Sequence, residues 1–320
     1  MARKLRIERP NGLYHVINRG NYRSDIFATD GARQAFAKTL DEACQKTGWI
    51  IHAWCLMTNH YHLALRTPNA NLVAGMQWLQ ATFSTRFNRF RNERGHLFQG
   101  RYKALHIEPG KALGAVCHYI HLNPIRAKMM SMDDLTQWKG CSLRWLMKPK
   151  QRASWFNPDA ALAWPMQLAD TPAGRHSYKD YLAWLATDEP AQKELCFETL
   201  SRGWAIGSKD FKRELLEEIP EDKITGVEDA LEARKLLWEK RLEELKAQFS
   251  EEERQDRMKS ADWKVAVAAQ MKLTTTVSNR WLSEQLDMGD LRTVGRLAGE
   301  CGRGSRAQAH HRRLTTQSET

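Results

Sequence analysis

The 320-residue chain has no apolar run long enough to span a bilayer, so no membrane-crossing helix is expected. It also lacks any Cys-x-x-Cys pair. Its six cysteines (Cys44, Cys55, Cys117, Cys141, Cys196 and Cys301) are scattered, which argues against a zinc ribbon and reads as reduced thiols in a cytoplasmic protein. There is no Gly-x-x-x-x-Gly-Lys-Ser/Thr loop, so no nucleotide cofactor is expected. The basic start Met1-Ala2-Arg3-Lys4-Leu5-Arg6 is not followed by an apolar stretch and does not read as an export signal. Acidic residues are scarce in the first half: residues 1–150 hold 23 Lys and Arg against 9 Asp and Glu, a net of +14, whereas the remainder nets −3. That imbalance suits a polyanionic partner such as nucleic acid. The hydrophobic share of 42% is ample for a real core.

Within the basic half, Trp54-Cys55-Leu56-Met57-Thr58-Asn59-His60-Tyr61-His62-Leu63-Ala64-Leu65 reads as a strand, a tight turn and a second strand. Residues i and i+2 of a strand face one way, so His60 and His62 stand side by side while Tyr61 turns to the opposite face. Two neutral imidazoles facing together are half of a transition-metal site.

Around this hairpin the chain alternates. Gly12 to Asn18 reads as a strand ending at the turn Arg19-Gly20-Asn21, with Arg23 beyond. Ala28 to Thr47 is helical in period and is stopped by Gly48; Leu72 to Arg91 is a second helix with Arg86, Arg89 and Arg91 on its outer surface. The segment Arg94-Gly95-His96-Leu97-Phe98-Gln99-Gly100-Arg101-Tyr102-Lys103 is a glycine-punctuated loop entering another strand. Gly100 lets a phosphodiester backbone come close, and Arg101 and Lys103 supply donors on one strand face. The order β-α-β-β-α-β predicts an α+β, ferredoxin-like (split βαβ) antiparallel sheet with helices on one face, followed by a mainly helical C-terminal region.

A further helix, Lys111 to Asn123, is expected to end there because Pro124 disfavours helical backbone in the residue before it. Tyr119 and Asn123 lie one turn apart on one face, while His121 falls about 200° round from Tyr119. A phenol one turn from an amide suits a nucleophile beside a metal ligand, if the amide completes the site of His60 and His62. Tyr102 competes for the nucleophile's role, and periodicity does not choose between them.

The His-x-His strand, the Gly-His-Leu-Phe-Gln-Gly-Arg-Tyr-Lys segment and Tyr119-Ile120-His121-Leu122-Asn123-Pro124, in that order, resemble the single-tyrosine HUH transposases. Within these the chain is most similar to the REP-associated tyrosine transposases, over about Gly12 to Ala127. The resemblance implies a DNA-nicking and -joining enzyme that acts on single-stranded DNA near hairpins through a 5′-phosphotyrosine. It assigns Tyr119 as nucleophile, His60 and His62 as metal ligands and Asn123 to the third-ligand position, where mobile insertion-sequence enzymes typically carry Gln. The implied cofactor is a divalent ion, Mg²⁺ or Mn²⁺; two imidazoles and an amide suit Mn²⁺ better on ligand softness. Basic residues Arg19, Arg23, Arg86, Arg89, Arg101 and Lys103, with Gly100, are the expected DNA contacts of this domain.

Beyond residue 150 the character changes. Lys148 to Ser154 resembles a linker, and Trp155 to Ile219 is tryptophan-rich and helical. In the charged stretch Asp222 to Arg257, Trp238, Leu242, Leu245 and Phe249 form a short seam. That seam suits either a coiled-coil homodimer or packing inside the chain, and its few heptads favour the latter. Thr275 to Leu286, the turn Asp287-Met288-Gly289 and Asp290 to Leu297 form a helix-turn-helix pattern, with Val277, Trp281, Leu282, Leu286, Leu291, Val294 and Leu297 inside and Arg292, Thr293 and Arg296 outward. The expected partition is a catalytic domain at 1–150, a helical accessory region at 151–257, a helix-turn-helix domain at 258–301 and a disordered basic tail at 302–320. The alternative function is a DNA-binding regulator that keeps the fold but performs no chemistry.

Overall fold

The computed structural model describes residues 8–218, 230–301 and 307–316. These divide into two compact units, one running up to Leu215 and one formed by Leu216–Glu218 with the residues from Ala230 on.

The first unit is built on β1 (Gly12–Arg19), α1 (Asp30–Thr47), β2 (Ile50–Leu56), β3 (His60–Thr67), α2 (Leu72–Arg91), β4 (Lys103–Ile107) and α3 (Lys111–Arg126). Local chemistry fixes the joints. The Thr29 side chain accepts the Ala32 N–H at the start of α1, and Gly48, at φ 71, closes it in the left-handed conformation that side chains disfavour. The strands pair in the order β2-β3-β1-β4, each neighbour antiparallel, as a split βαβ arrangement requires.

Both faces of the sheet are apolar, so both need cover. Tyr14, Val16, Trp54, Tyr61, Leu63 and Leu65 pack under α1 and α2 with Phe36, Leu40, Met76 and Phe83. Leu13, Ala53, Cys55, Ala64 and Ile107 pack instead with Val116, Ile120 and Leu122 of α3. The expectation of helices on one face therefore holds only for α1 and α2; α3 covers the other. The helix also runs through Pro124 to Arg126 rather than stopping at Asn123. Proline removes one hydrogen bond, and the burial of Ile120, Leu122 and Pro124 outweighs that loss.

The segment after α3 forms α4 (Met132–Gln137), α5 (Leu143–Met147), α6 (Asp159–Ala163), α7 (Pro172–Thr187), α8 (Glu189–Glu194), β5 (Ala205–Ile206) and α9 (Lys209–Glu217). The supposed linker at 148–154 is not a boundary. Just past it the Ile51 N–H donates to Trp155 O and the Asn157 N–H to Ile51 O, fastening the chain to the edge of β2. Trp155 and Phe156 join the core under α1 and α2, and Ala161, Leu162, Tyr178 and Leu182 join the core around α3. β5 adds a fifth strand parallel to β4.

The second unit comprises α10 (Ala230–Ala247), α11 (Glu251–Gln255), α12 (Asp262–Thr274), α13 (Asn279–Leu286), α14 (Leu291–Glu300) and α15 (Ala307–Thr316). Trp238, Leu242, Leu245 and Phe249 are buried against Val265, Met271, Trp281 and Leu282, so the seam packs within the chain. The described part of the tail is not disordered: α15 seats Ala307 and Leu314 in that same core. Residues 302–306 and 317–320 lie outside the described residues, as does the part of the charged stretch before Ala230.

Candidate functional site

The face of the sheet under α3 carries a cluster of aromatic and imidazole rings. His60 and His62 alternate with Tyr61, as expected, and their ring centroids lie 5.1 Å apart. Tyr61 and Tyr102 are both in the core on the opposite side, under α1 and α2. α3 brings Tyr119 to the histidines: its ring centroid is 5.7 Å from that of His62, edge to face. Asn123 follows one turn later on the same helix and is buried, with an Nδ2 that finds no hydrogen-bond partner.

Residues not anticipated from sequence complete the cluster. His15 of β1 is fully buried, 5.1 Å from the His62 ring and 5.9 Å from that of Tyr119. Its Nε2 lies 2.9 Å from His62 Nδ1 and its Nδ1 lies 2.8 Å from Leu200 O. Phe197, in the same turn as Leu200, meets the Tyr119 ring edge-on at 5.5 Å. Arg126 sets its guanidinium 5.2 Å over the Tyr119 ring. His15 shares a strand face with Leu13 and Ile17, and Arg126 is two turns beyond Tyr119, but neither position by itself marks a site residue.

The electrostatics favour neutral imidazoles. Burial pushes His60 down to about 4, with the Arg19 charge adding to it. Burial pushes His62 well below its ordinary value, helped by His15, His60, Arg126 and Arg19. His15 is likewise pushed down to about 4 by burial. A neutral ring that uses one nitrogen as a donor keeps a lone pair on the other. His60 Nδ1 is 2.7 Å from Asn59 Oδ1 and His62 Nδ1 is engaged with His15, so the Nε2 of each remains for a ligand. Among the described residues no three His, Cys, Asp or Glu side chains converge on one point. Two imidazole Nε2 atoms and an amide oxygen are the mixed nitrogen–oxygen donor types that a divalent ion takes, while the Asn123 atom left without a partner is the donor Nδ2.

The expected cationic contacts are spread more widely. Arg19 pairs with His60 across β1 and β3, and Arg23 sits in the following turn, its carbonyl accepting from Asn59 Nδ2. Lys103, at the start of β4, pairs with Ile17 and acts on His15 through its charge. Arg101 is exposed just before it, and Gly100, at φ 68, has open space beside it. Arg86 is turned to other use: it bridges to both carboxylate oxygens of Glu42 and to Thr39 of α1, away from the histidine face. Arg89 is exposed on α2. In the second unit Arg292 and Arg296 are exposed on α14, with Arg296 paired to Glu300 at 3.0 Å. Leu291, expected inside, is 46% exposed at the first position of α14.

Residues 9–123 match the family model described as "Transposase IS200 like". No curated protein matches the chain. One solved structure, of a REP-associated tyrosine transposase bound to a REP hairpin, is similar at 15% identity with a TM-score of 0.40, covering 50% of this chain and 93% of that one. Among the described residues no helix is long and apolar enough to cross a membrane.

Proposed function

We propose that the chain, whose residues 9–123 match the IS200-like transposase model, is a DNA strand transferase with Tyr119 as its nucleophile, acting on single-stranded DNA near hairpins. The observation that carries this reading is the convergence of Tyr119 with His62 on one face, beside two Nε2 atoms that the protein leaves unspent.

In the proposed reaction Tyr119 Oη attacks the scissile phosphorus, and the bond from phosphorus to the 3′ oxygen breaks. The products are a 5′-phosphotyrosine and a free 3′-OH, the phenol losing a proton and the 3′ oxygen gaining one. The new ester retains the phosphodiester's energy, so a 3′-OH can reverse the step without a nucleotide cofactor. His60, His62 and Asn123 would hold a divalent ion, which when bound polarises the phosphate oxygens. Arg126, stacked over the phenol, brings a cation to the place where the phosphate must sit. Phe197 and His15 wall the ring so that its approach is fixed.

The second unit supports a further part of this reading, duplex DNA binding by a helix-turn-helix. Asp287 takes the left-handed conformation at φ 49, Met288 is buried, Gly289 stands at φ 81, and the Asp290 side chain caps α14 through the Arg292 N–H. That compact turn presents Arg292, Thr293 and Arg296 on one side of α14.

The test is incubation with single-stranded hairpin DNA and Mn²⁺, followed by denaturing electrophoresis. The chain should form a covalent adduct, and a tryptic phosphotyrosyl peptide should contain Tyr119. Tyr119→Phe should fold and bind DNA but form no adduct, whereas Tyr102→Phe should still form it. His60→Ala or His62→Ala should lose cleavage and keep most DNA affinity, which basic contacts supply. An adduct on Tyr102, or full cleavage by His62→Ala in chelator, would overturn the assignment.

A further inference from the structure

The turn Leu195–Leu200 comes from a region far down the chain, yet Leu200 O lies 2.8 Å from His15 Nδ1. A carbonyl oxygen only accepts, so His15 must carry its hydrogen on Nδ1. Neutral His15 then has a bare Nε2. That atom is 2.9 Å from His62 Nδ1, so His62 must also carry its hydrogen on Nδ1. His15 and His62 are both buried. Direction passes through two rings from one backbone oxygen.

We propose that the Leu200 carbonyl and His15 act as a positioning relay that holds His62 in the Nδ1–H tautomer, with its Nε2 lone pair presented to the Tyr119 side of the sheet. An unconstrained neutral histidine favours the opposite tautomer, so the relay reverses an intrinsic preference. The turn is itself held by the sheet: the His106 N–H donates to Trp204 O and the Glu108 N–H to Ile206 O, and Phe197 and Leu200 are buried in the core around α3. Residues 195–206 therefore do more than cover the fold; they set which nitrogen of a strand histidine is available. Where a metal-ligating histidine has such a partner behind it, removing the partner typically weakens metal binding ten- to a hundredfold. This consequence for metal rests on the reading of His62 as a ligand; the tautomer itself does not.

The experiment uses the full chain, metal-free, labelled with ¹⁵N-histidine, and reads long-range ¹H–¹⁵N correlations at neutral pH. The His62 signals are assigned from a His62→Gln sample. Wild type should show His62 protonated on Nδ1 and bare on Nε2. In His15→Phe the His62 tautomer should revert to Nε2–H, and Mn²⁺ affinity, followed by the electron paramagnetic resonance of free Mn²⁺, should fall about ten- to a hundredfold. His15→Gln, whose amide oxygen can accept from His62 Nδ1–H, should restore the tautomer. A His62 found as Nε2–H in wild type, or unchanged in His15→Phe, would overturn the relay. Should His15→Phe not fold, the wild-type tautomer and His15→Gln still decide. A chain with the expected tautomers that binds no Mn²⁺ would sink the metal reading and leave the relay standing.

Discussion

The two sides of α3 are built from similar side chains and finished differently. On one side stand Tyr119 and Asn123, with Tyr119 meeting His15 and His62. On the other stand His118 and His121, facing Tyr178 and Ser142. Both sides bury imidazoles and a phenol. On the second side every polar atom of the chain of contacts has a partner. His118 Nε2 donates to Trp164 O; the Tyr178 hydroxyl donates to His118 Nδ1 and accepts from His121 Nδ1; the Ser142 hydroxyl donates to His121 Nε2 and accepts the Trp54 N–H. One assignment of hydrogens satisfies all of it with both rings neutral. On the first side the contacts run out at His60 Nε2, His62 Nε2 and Asn123 Nδ2. Residue type alone does not separate the two sides; completion of their hydrogen bonds does. The closed network fastens α3 to α7.

The sharpest way to break this contrast is acid. Burial pushes His118 from 6.5 down to about 4. A ring that takes up a proton more readily unfolded than folded contributes stability that is complete above pH 6.5 and is lost as pH falls towards 4. For His118 alone that loss is about 3 kcal/mol by pH 4. Denaturant titrations across this range should show stability falling with pH, and His118→Phe should flatten that part of the curve. An unchanged slope in the variant would mean that His118 is not the buried neutral ring described.

Tyr178→Phe probes the same network at smaller cost. It removes one hydroxyl and leaves two buried ring nitrogens unmatched, so a loss of about 1–3 kcal/mol is expected in the unfolding midpoint. Adduct formation by the variant, measured where it is still folded, should fall as well, because α3 loses its fastening to α7. A variant as stable as the parent would mean that water or a rotated ring repairs the network.

Much of the first unit was legible from its residues. The two helices α1 and α2 and the β2–β3 hairpin follow from periodicity and turn chemistry, and the His60–His62 face follows from strand alternation. The closed network was partly visible, since His121 had to lie on the other side of α3 from Tyr119. His15 was not, because its role depends on a register that sets it beside Ala64 and on a carbonyl 185 residues away. The boundary placed at residue 150 failed for a related reason. Lys148-Pro149-Lys150 has the composition of a linker, but Trp155 and Phe156 reach back to the edge of β2, and no local signal announces a partner that distant. In the second unit Leu291 counted as core by its spacing, yet it stands at the first position of α14, directly after the Asp290 cap, and is exposed.

The smallest expected effect concerns charge on the open face. If DNA lies on the proposed face, the cations there, Arg19, Lys103 and Arg126, should draw a phosphodiester, whereas Arg86, bridged to Glu42 on the other layer, should not. Lys103→Ala should lower the slope of log affinity against log salt for single-stranded hairpin DNA by about 0.7, the value for one phosphate contact on a single strand. Arg101→Ala should act alike. Arg86→Ala is the counterpart: its guanidinium is held by Glu42 and Thr39 on the α1–α2 layer, so the slope should not change. Arg292→Ala, in the second unit, should leave hairpin cleavage intact and weaken binding to duplex DNA. Filter binding over a salt series reads all four. Equal slopes for Lys103→Ala and Arg86→Ala would mean that the DNA does not distinguish the two faces of the sheet, and the open side of α3 would then lose its claim to the phosphate.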